Sequence, residues 1–219
     1  SCLTGLFCMS KLKQTIKIIT PDTTISTQDR GLNYGDGFFT TASVVNSVVE
    51  HWDLHKARLE ECAQRLFFPE LDLSAIEREV NHAISDTQTG ILKIVITRGA
   101  GGRGYGLPDT PSIQVLISIM PAVSHYKSWQ QQGVNLAVSD VKLANQPLLA
   151  GLKTLNRLEQ VLIKKQMSSL ECDDVVVLDY DNNAIECSAA NIFAIKDGQV
   201  ISPKLDRCGI TGVYLSALC

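Results

Sequence analysis

Residues 148–162 read LLAGLKTLNRLEQVL, and the fold assignment turns on the first cation in that stretch. From Leu143 to Leu152 no side chain carries a charge, and then comes Lys153. A lysine beside Leu152 and Leu155 can lay its methylene stem along apolar surface and keep its ammonium in water. Alternatively it is held partly desolvated, so that its proton affinity falls and the neutral amine can attack a carbonyl. The two readings place Lys153 on different structures, and the remainder of the chain separates them.

The 219 residues are 45% hydrophobic and 20% charged, a globular composition long enough for one large or two small cores. A net charge of −3 with no dense run of Lys and Arg gives no electrostatic footprint for nucleic acid or an anionic membrane, so a small-molecule partner is expected. Cys2, Cys8, Cys62, Cys172, Cys187, Cys208 and Cys219 are odd in number and scattered, without a C-x-x-C pair. They suggest neither a disulfide framework nor a zinc knuckle, and no metal site is expected. The opening SCLTGLFCMSKLK has a short apolar piece with no basic segment before it, which is the wrong order for a secretory signal. No stretch is long enough to span a bilayer, and the expectation is a cytoplasmic protein.

Strand-like runs come first: Thr15 to Ile19, then Phe38 to Val45 and Val48 to His51 around the turn-like Asn46-Ser47. Leu59, Cys62, Ala63 and Leu66 fall at helix spacing. A second helix is announced by a capping box, Ser74-x-x-Glu77, with Ile76, Val80, Ala83 and Ile84 on one stripe. Strands follow at Ile91 to Thr97 and Ile113 to Met120. Pro121 and the polar residues around Ser124 to Ser128 read as a connection, which divides the chain into a domain over 1–120, a link over 121–128 and a second domain over 129–219. Beyond the link the pattern predicts a strand at Val134 to Ser139, a helix from about Thr154 to Gln166, a strand at Asp174 to Asp179 and strands near Ile185 and Ile192. The class is α+β, with sheets built mainly from hairpins. The sequence ends at GVYLSALC, where a helix has just begun, so the second domain reads as truncated at its C-terminus.

Gly99-Ala-Gly101-Gly-Arg-Gly104 satisfies G-x-G-x-x-G directly after a strand, but a dinucleotide fingerprint must open a helix. Pro108 and Pro111 follow instead and forbid one. The preferred reading is a flexible glycine-rich loop between antiparallel strands, with Arg98 and Arg103 available to an anionic substrate. Three further features bear on Lys153. Glu186 lies between Ile185 and Cys187 in a strand-like run, where an outward-facing carboxylate is the plain alternative. Arg58 falls in the first turn of a helix with His55 before it. Gly209-Ile-Thr211-Gly opens the final helix and offers free backbone N–H groups to an anion. An amine, a carboxylate, an arginine and a helix N-terminus are together what pyridoxal 5′-phosphate requires: an amine for the aldehyde, a carboxylate for the pyridine nitrogen, and donors for the phosphate.

GLNYGDGFFTT (31–41), HKARL (55–59), LAGLKTLNRLEQ (149–160), IECSAANIF (185–193) and CGITG (208–212) resemble the fold type IV pyridoxal-phosphate enzymes. That family includes branched-chain and D-amino acid aminotransferases and aminodeoxychorismate lyase. The likeness runs in order from about Asp29 to the end, and RGAGGRGY (98–105) with LAGLKTLNRLEQVL is most similar to the lyase branch. The resemblance implies a two-domain fold type IV enzyme with pyridoxal 5′-phosphate as cofactor. It casts Lys153 as the lysine that joins the cofactor aldehyde, Glu186 as the pyridine partner, and Arg58 with the Ile210 and Thr211 amides as the phosphate clamp. It also implies that Thr41, at the end of the GDGFFTT strand, faces the cofactor as a catalytic hydroxyl, and that Tyr34, Arg98 and Arg103 border the substrate. Family members are homodimers, and a further phosphate-binding hydroxyl lies beyond Cys219. The implied activity is conversion of 4-amino-4-deoxychorismate to 4-aminobenzoate and pyruvate, a step towards folate. A D-amino acid or branched-chain aminotransferase, or a catalytically silent cofactor-binding dimer, are the alternatives.

Overall fold

In the structure, a computed structural model, residues 13–218 are described. The opening apolar piece and Cys2, Cys8 and Cys219 lie outside the described residues. The first half forms a five-stranded sheet from β1 (Lys13–Ile18), β2 (Gly37–Val45), β3 (Val48–Val49), β4 (Thr89–Thr97) and β5 (Ser112–Pro121), in the order β1-β5-β4-β2-β3. Helices α1 (Arg30–Tyr34), α2 (Trp52–Arg65) and α3 (Leu73–Ala83) lie between its strands in sequence. Period-two alternation decides which face is covered. Phe38, Thr40, Ala42 and Val44 of β2, Leu92, Ile94 and Ile96 of β4, and Ile113, Val115 and Ile117 of β5 are all buried. They form one core with Leu59, Cys62 and Ala63 of α2 and Ile76 and Val80 of α3, where each fully buried Leu or Ile contributes about 1.5–3 kcal/mol. The opposite face, carrying Phe39, Thr41 and Ser43 on β2 and Lys93 and Val95 on β4, is only partly covered.

The second half holds α4 (Tyr126–Gln132), β6 (Leu136–Val138), α5 (Leu158–Met167), β7 (Asp174–Leu178), β8 (Ala184–Cys187), the hairpin strands β9 (Ala194–Lys196) and β10 (Gln199–Ile201), and α6 (Val213–Leu218). Strands β6, β7 and β8 make a three-stranded sheet. Leu143, Ile163 of α5, Val175 and Val177 of β7, Ile185 of β8 and Cys208 form a second, smaller core.

The turn at Asn46-Ser47 takes positive φ at both residues, 51° and 59°, as the tight hairpin between β2 and β3 requires. The sheets are built mainly from hairpins, as expected, with β2-β3, β4-β5, β7-β8 and β9-β10 antiparallel, and β1 and β6 are added at sheet edges by parallel pairing with β5 and β7. Three sequence expectations are corrected. The helix expected from the Ser74-x-x-Glu77 box starts at Leu73, since Asp72 reaches its N-cap first and accepts from the Ala75 N–H at 2.9 Å. The link over 121–128 is not all irregular: β5 runs through Pro121 and α4 begins at Tyr126, with His125, Tyr126 and Trp129 packed ring against ring. The helix expected from Thr154 begins at Leu158, because the backbone of 153–155 pairs with β2. The Phe39 N–H donates to the Lys153 carbonyl at 2.9 Å and the Leu155 N–H to the Gly37 carbonyl at 3.0 Å.

The glycine-rich loop joins β4 to β5 with no helix after it, as expected, yet it is not free. Arg30, 3% exposed, donates to the carbonyls of Gly104 and Gly106 at 3.0 Å and of Tyr105 at 3.2 Å. Its Nε donates to Asp36 at 2.7 Å, and Arg98 Nε donates to the same carboxylate at 2.9 Å. Gly99, at φ +79°, brings the chain so near β5 that a Cβ there would lie 1.9 Å from the Ser112 carbonyl oxygen. One carboxylate therefore balances two buried guanidinium groups. Asp36→Ala should cost about 3–5 kcal/mol by leaving both uncompensated, read as a lower urea midpoint with unchanged slope.

Candidate active site

Lys153 is placed by its neighbours on either side. Leu152, 1% exposed, is among the described residues the one buried member of the larger core contributed by the second half of the chain. Gly151 donates to the Gly209 carbonyl at 2.9 Å and accepts from the Thr211 N–H at 3.0 Å, while Thr154 bridges to Phe38. The segment is thus extended, and the Lys153 ammonium lies 4.8 Å from the Phe39 ring centroid. Its pKa is lowered to about 8, mainly by burial, then by the charges of Arg58 and Arg157; Glu186 pulls the other way. The snorkelling alternative fails on this point, since a lysine with its head in bulk water keeps its ordinary proton affinity.

Glu186, 5% exposed, accepts from the Ile210 N–H at 2.9 Å on one oxygen and from the Gln160 amide at 3.4 Å on the other. Burial pushes its pKa above the usual carboxylate range, opposed by these two donors and by Arg157 and Lys153. The outward-facing alternative for this strand position is thereby removed. Gly209, at φ +81°, is what lets the chain pass so close: a Cβ would meet Ile185 at 2.7 Å and Glu186 Oε2 at 3.4 Å. Arg58 reaches from α2 to donate to the Thr211 carbonyl. Beside it His55, buried, shares a 2.6 Å hydrogen bond with Thr40 and has its pKa lowered to about 4 by burial first and then by Arg58 and His51.

Sequence reasoning misplaced some residues and missed others. The amides of Ile210 and Thr211 were expected to be free, but they donate to Glu186 and to Gly151, and the last helix begins only at Val213. Arg98 was expected to face substrate; it is 3% exposed, with its guanidinium spent on Asp36 and on the carbonyls of Phe67 and Leu66 at 3.0 and 2.8 Å. Arg103 is exposed on the loop, and half-exposed Tyr34 meets Tyr105 edge to face at 5.4 Å. Thr41 lies in the middle of β2, not at its end, on the open face with Phe39. Gln160, Arg157 and Lys93 went unremarked. The signal for Lys93 was present: ILKIVIT puts one cation inside an apolar strand, the same anomaly that drew attention to Lys153.

The donor set fits pyridoxal 5′-phosphate: an amine of lowered proton affinity, a buried carboxylate and a guanidinium on a second element. Among the described residues, Arg157 Nε and Gln160 Oε1 are two of three buried side-chain polar atoms without a partner. Gln160 touches Glu186, and Arg157 acts on both Glu186 and Lys153. Polar groups orphaned at this one place mark a site that the protein's own contacts leave incomplete.

The amino-transferase class IV family pattern matches residues 37–219. An aminodeoxychorismate lyase from Vibrio harveyi is 40% identical over 194 residues, covering 88% of this chain and 71% of its own length. The crystal structure of 4-amino-4-deoxychorismate lyase from Pseudomonas aeruginosa superposes with a TM-score of 0.86 at 39% identity, over 90% of this chain and 73% of that one. A D-alanine aminotransferase from Staphylococcus aureus (strain MSSA476) is 26% identical over 218 residues, covering 94% of this chain and 73% of its own.

Two outcomes follow from the geometry. A lysine titrating at about 8 should attach to an aldehyde at a rate rising about tenfold per pH unit below that value and levelling above it, seen as the growth of cofactor absorbance after mixing. Gln160→Met keeps the volume but removes the donor to Glu186. It should lower kcat by about 10- to 150-fold, the worth of one hydrogen bond to a charged group, while thermal stability changes little.

Proposed function

Since the chain belongs to the amino-transferase class IV family, we propose that it is a pyridoxal 5′-phosphate-dependent lyase that converts 4-amino-4-deoxychorismate to 4-aminobenzoate and pyruvate. The observation that carries the cofactor chemistry is the convergence of partly buried Lys153, its pKa lowered to about 8, with buried Glu186, whose charge acts on it. The choice of lyase over aminotransferase rests on 40% against 26% identity over most of the chain. When bound, pyridoxal 5′-phosphate supplies an aldehyde that links to an amine and a protonated ring that accepts the electron pair left by a broken C–H bond.

The protein's part is positioning and proton transfer. Arg58, held by the Thr211 carbonyl, would neutralise phosphate charge. Glu186 would hold the proton on the ring nitrogen, and the Ile210 N–H and Gln160 amide keep its carboxylate aimed. Lys153 would hold the cofactor aldehyde and, once free and neutral, would take the proton from the carbon bearing the substrate amine. Lys153 or Thr41 would supply the proton that the enolpyruvyl methylene needs as that group leaves and the six-membered ring becomes aromatic. Tyr34, at the end of α1 and edge to face with Tyr105 of the glycine-rich loop, borders the substrate.

The same proposal includes a homodimer, a cytoplasmic location and two domains joined over 121–128. Exposed Leu32, Phe67 and Tyr105 around the Arg30–Asp36–Arg98 cluster support a subunit contact. The free thiols of Cys62, Cys172, Cys187 and Cys208 suit a reducing compartment, and the two separate apolar cores support the division.

Borohydride should fix the cofactor to the peptide containing Lys153, whereas labelling of Lys142 or Lys164 would remove the assignment. Purified protein given aminodeoxychorismate and no keto acid should release 4-aminobenzoate and pyruvate in equal amounts over many turnovers. A transaminase needs a keto-acid acceptor to turn over repeatedly, so activity confined to an amino acid plus 2-oxoglutarate would establish that reaction instead. Glu186→Gln should retain bound cofactor and lose most turnover.

A further inference from the structure

Lys93 is a cation without a stated task. It stands in the middle of β4, where alternate residues Leu92, Ile94 and Ile96 are buried in the core, so register turns Lys93 onto the open face. There its backbone pairs with Thr41, and its ammonium lies 5.2 Å from the Phe39 ring centroid. The Lys153 ammonium lies 4.8 Å from that same centroid. Two lysines therefore share one aromatic ring with Thr41 alongside, and the negative face of the ring favours both charges. Among the described residues no carboxylate lies within 4.0 Å of the Lys93 ammonium and no side-chain hydrogen bond satisfies it. The contrast with the two arginines expected to meet substrate is direct, since Arg98 is consumed by Asp36 and two carbonyls and Arg103 lies out on the loop.

We propose that Lys93 binds a carboxylate of the substrate, with the Thr41 hydroxyl beside it, and so orients the substrate ring over the open face of the sheet next to Lys153. The inference rests on the reading of the site as one that takes 4-amino-4-deoxychorismate, which carries two carboxylates, one retained by each product. Placing a substrate anion on Lys93 also relieves the repulsion between the two ammonium groups, one of the influences that lower the Lys153 pKa. A bound carboxylate near Lys93 favours catalysis by holding the reacting carbon in reach of Lys153, whereas an unpaired ammonium at that place serves no packing need that an apolar residue would not meet better.

The test compares the cofactor-loaded wild-type protein with Lys93→Met and Lys93→Arg. The first removes the charge and keeps most of the stem; the second keeps the charge. Steady-state KM and kcat are measured with aminodeoxychorismate, and the affinities of 4-aminobenzoate and of pyruvate are read from the change they cause in cofactor absorbance. Lys93→Met should raise KM by about 10- to 100-fold with kcat within about threefold, the loss of one charge-assisted contact. It should weaken one of the two products by a similar factor, and the product affected identifies the carboxylate held. Lys93→Arg should recover most of the loss. Should Lys93→Met fail to fold, Lys93→Gln replaces it with the same expectation. Unchanged KM and unchanged affinity for both products would overturn the proposal, as would a fall in kcat alone, which would mean that Lys93 acts only on the Lys153 proton. If wild-type protein releases no 4-aminobenzoate yet Lys93→Met still weakens one of the two carboxylates, the lyase reading falls and the carboxylate site stands.

Discussion

The extended segment from Gly151 to Leu155 is hydrogen-bonded on both sides, and the site depends on it. Towards the larger sheet it takes the Phe39 N–H on the Lys153 carbonyl and gives the Leu155 N–H to Gly37; towards the smaller half it exchanges bonds with Gly209 and Thr211. Leu152, buried among the side chains of β2 and α2, fixes its depth. A side chain on such a segment has its backbone determined from two directions, so the Lys153 amine is aimed by the fold rather than by its own rotamer preference. The same bonds bring Ile210 beside Glu186 and carry the Thr211 carbonyl to Arg58. The placements of the Lys153 amine, the Glu186 carboxylate and the Arg58 guanidinium are therefore three consequences of one splice.

Charge distribution separates the structural arginines from those of the site. Arg30 and Arg98 are both buried, share Asp36 and spend their remaining donors on carbonyl groups, an arrangement that is satisfied internally and has nothing left for a ligand. Around Lys153 the balance is reversed. Arg58, Arg157 and Lys93 are cations, and Glu186 is the one carboxylate among the groups that shift the Lys153 pKa. Excess positive charge in a partly dehydrated place costs stability, but it adds to the burial that lowers the Lys153 pKa and favours an anionic occupant. A phosphorylated cofactor and a dicarboxylate substrate both answer that imbalance.

The strand-like runs that became β2, β4 and β5 were legible because a half-covered sheet imposes a period of two on its sequence. The anomalous positions of Lys153 and Glu186 were legible for the converse reason, a charge where the local pattern calls for an apolar residue. Failures came where two signals competed for the same backbone. Asp72 outranked Ser74 as a cap by standing two residues earlier. The helical spacing after Thr154 yielded to sheet pairing with β2 until Leu158. The parallel pairings of β1 with β5 and of β6 with β7 join segments far apart in the chain, and no local spacing encodes such partners.

Residue identity by itself determined the chemistry available to this protein: an amine, a carboxylate and guanidinium groups of the kind that pyridoxal 5′-phosphate needs, on an α+β chain with no nucleic-acid footprint. Which of its arginines would be free was decided only in three dimensions. Arg98 and Arg103 stand five residues apart in one loop and look interchangeable in sequence, yet one is enclosed by Asp36, Leu66 and Phe67 and the other is exposed. The amides of Ile210 and Thr211 likewise became acceptor-bound only when Glu186 and Gly151 were brought to them from distant parts of the chain. A hydrogen-bonding group declares its capacity in the sequence, but its availability depends on every partner that folding brings within about 3 Å.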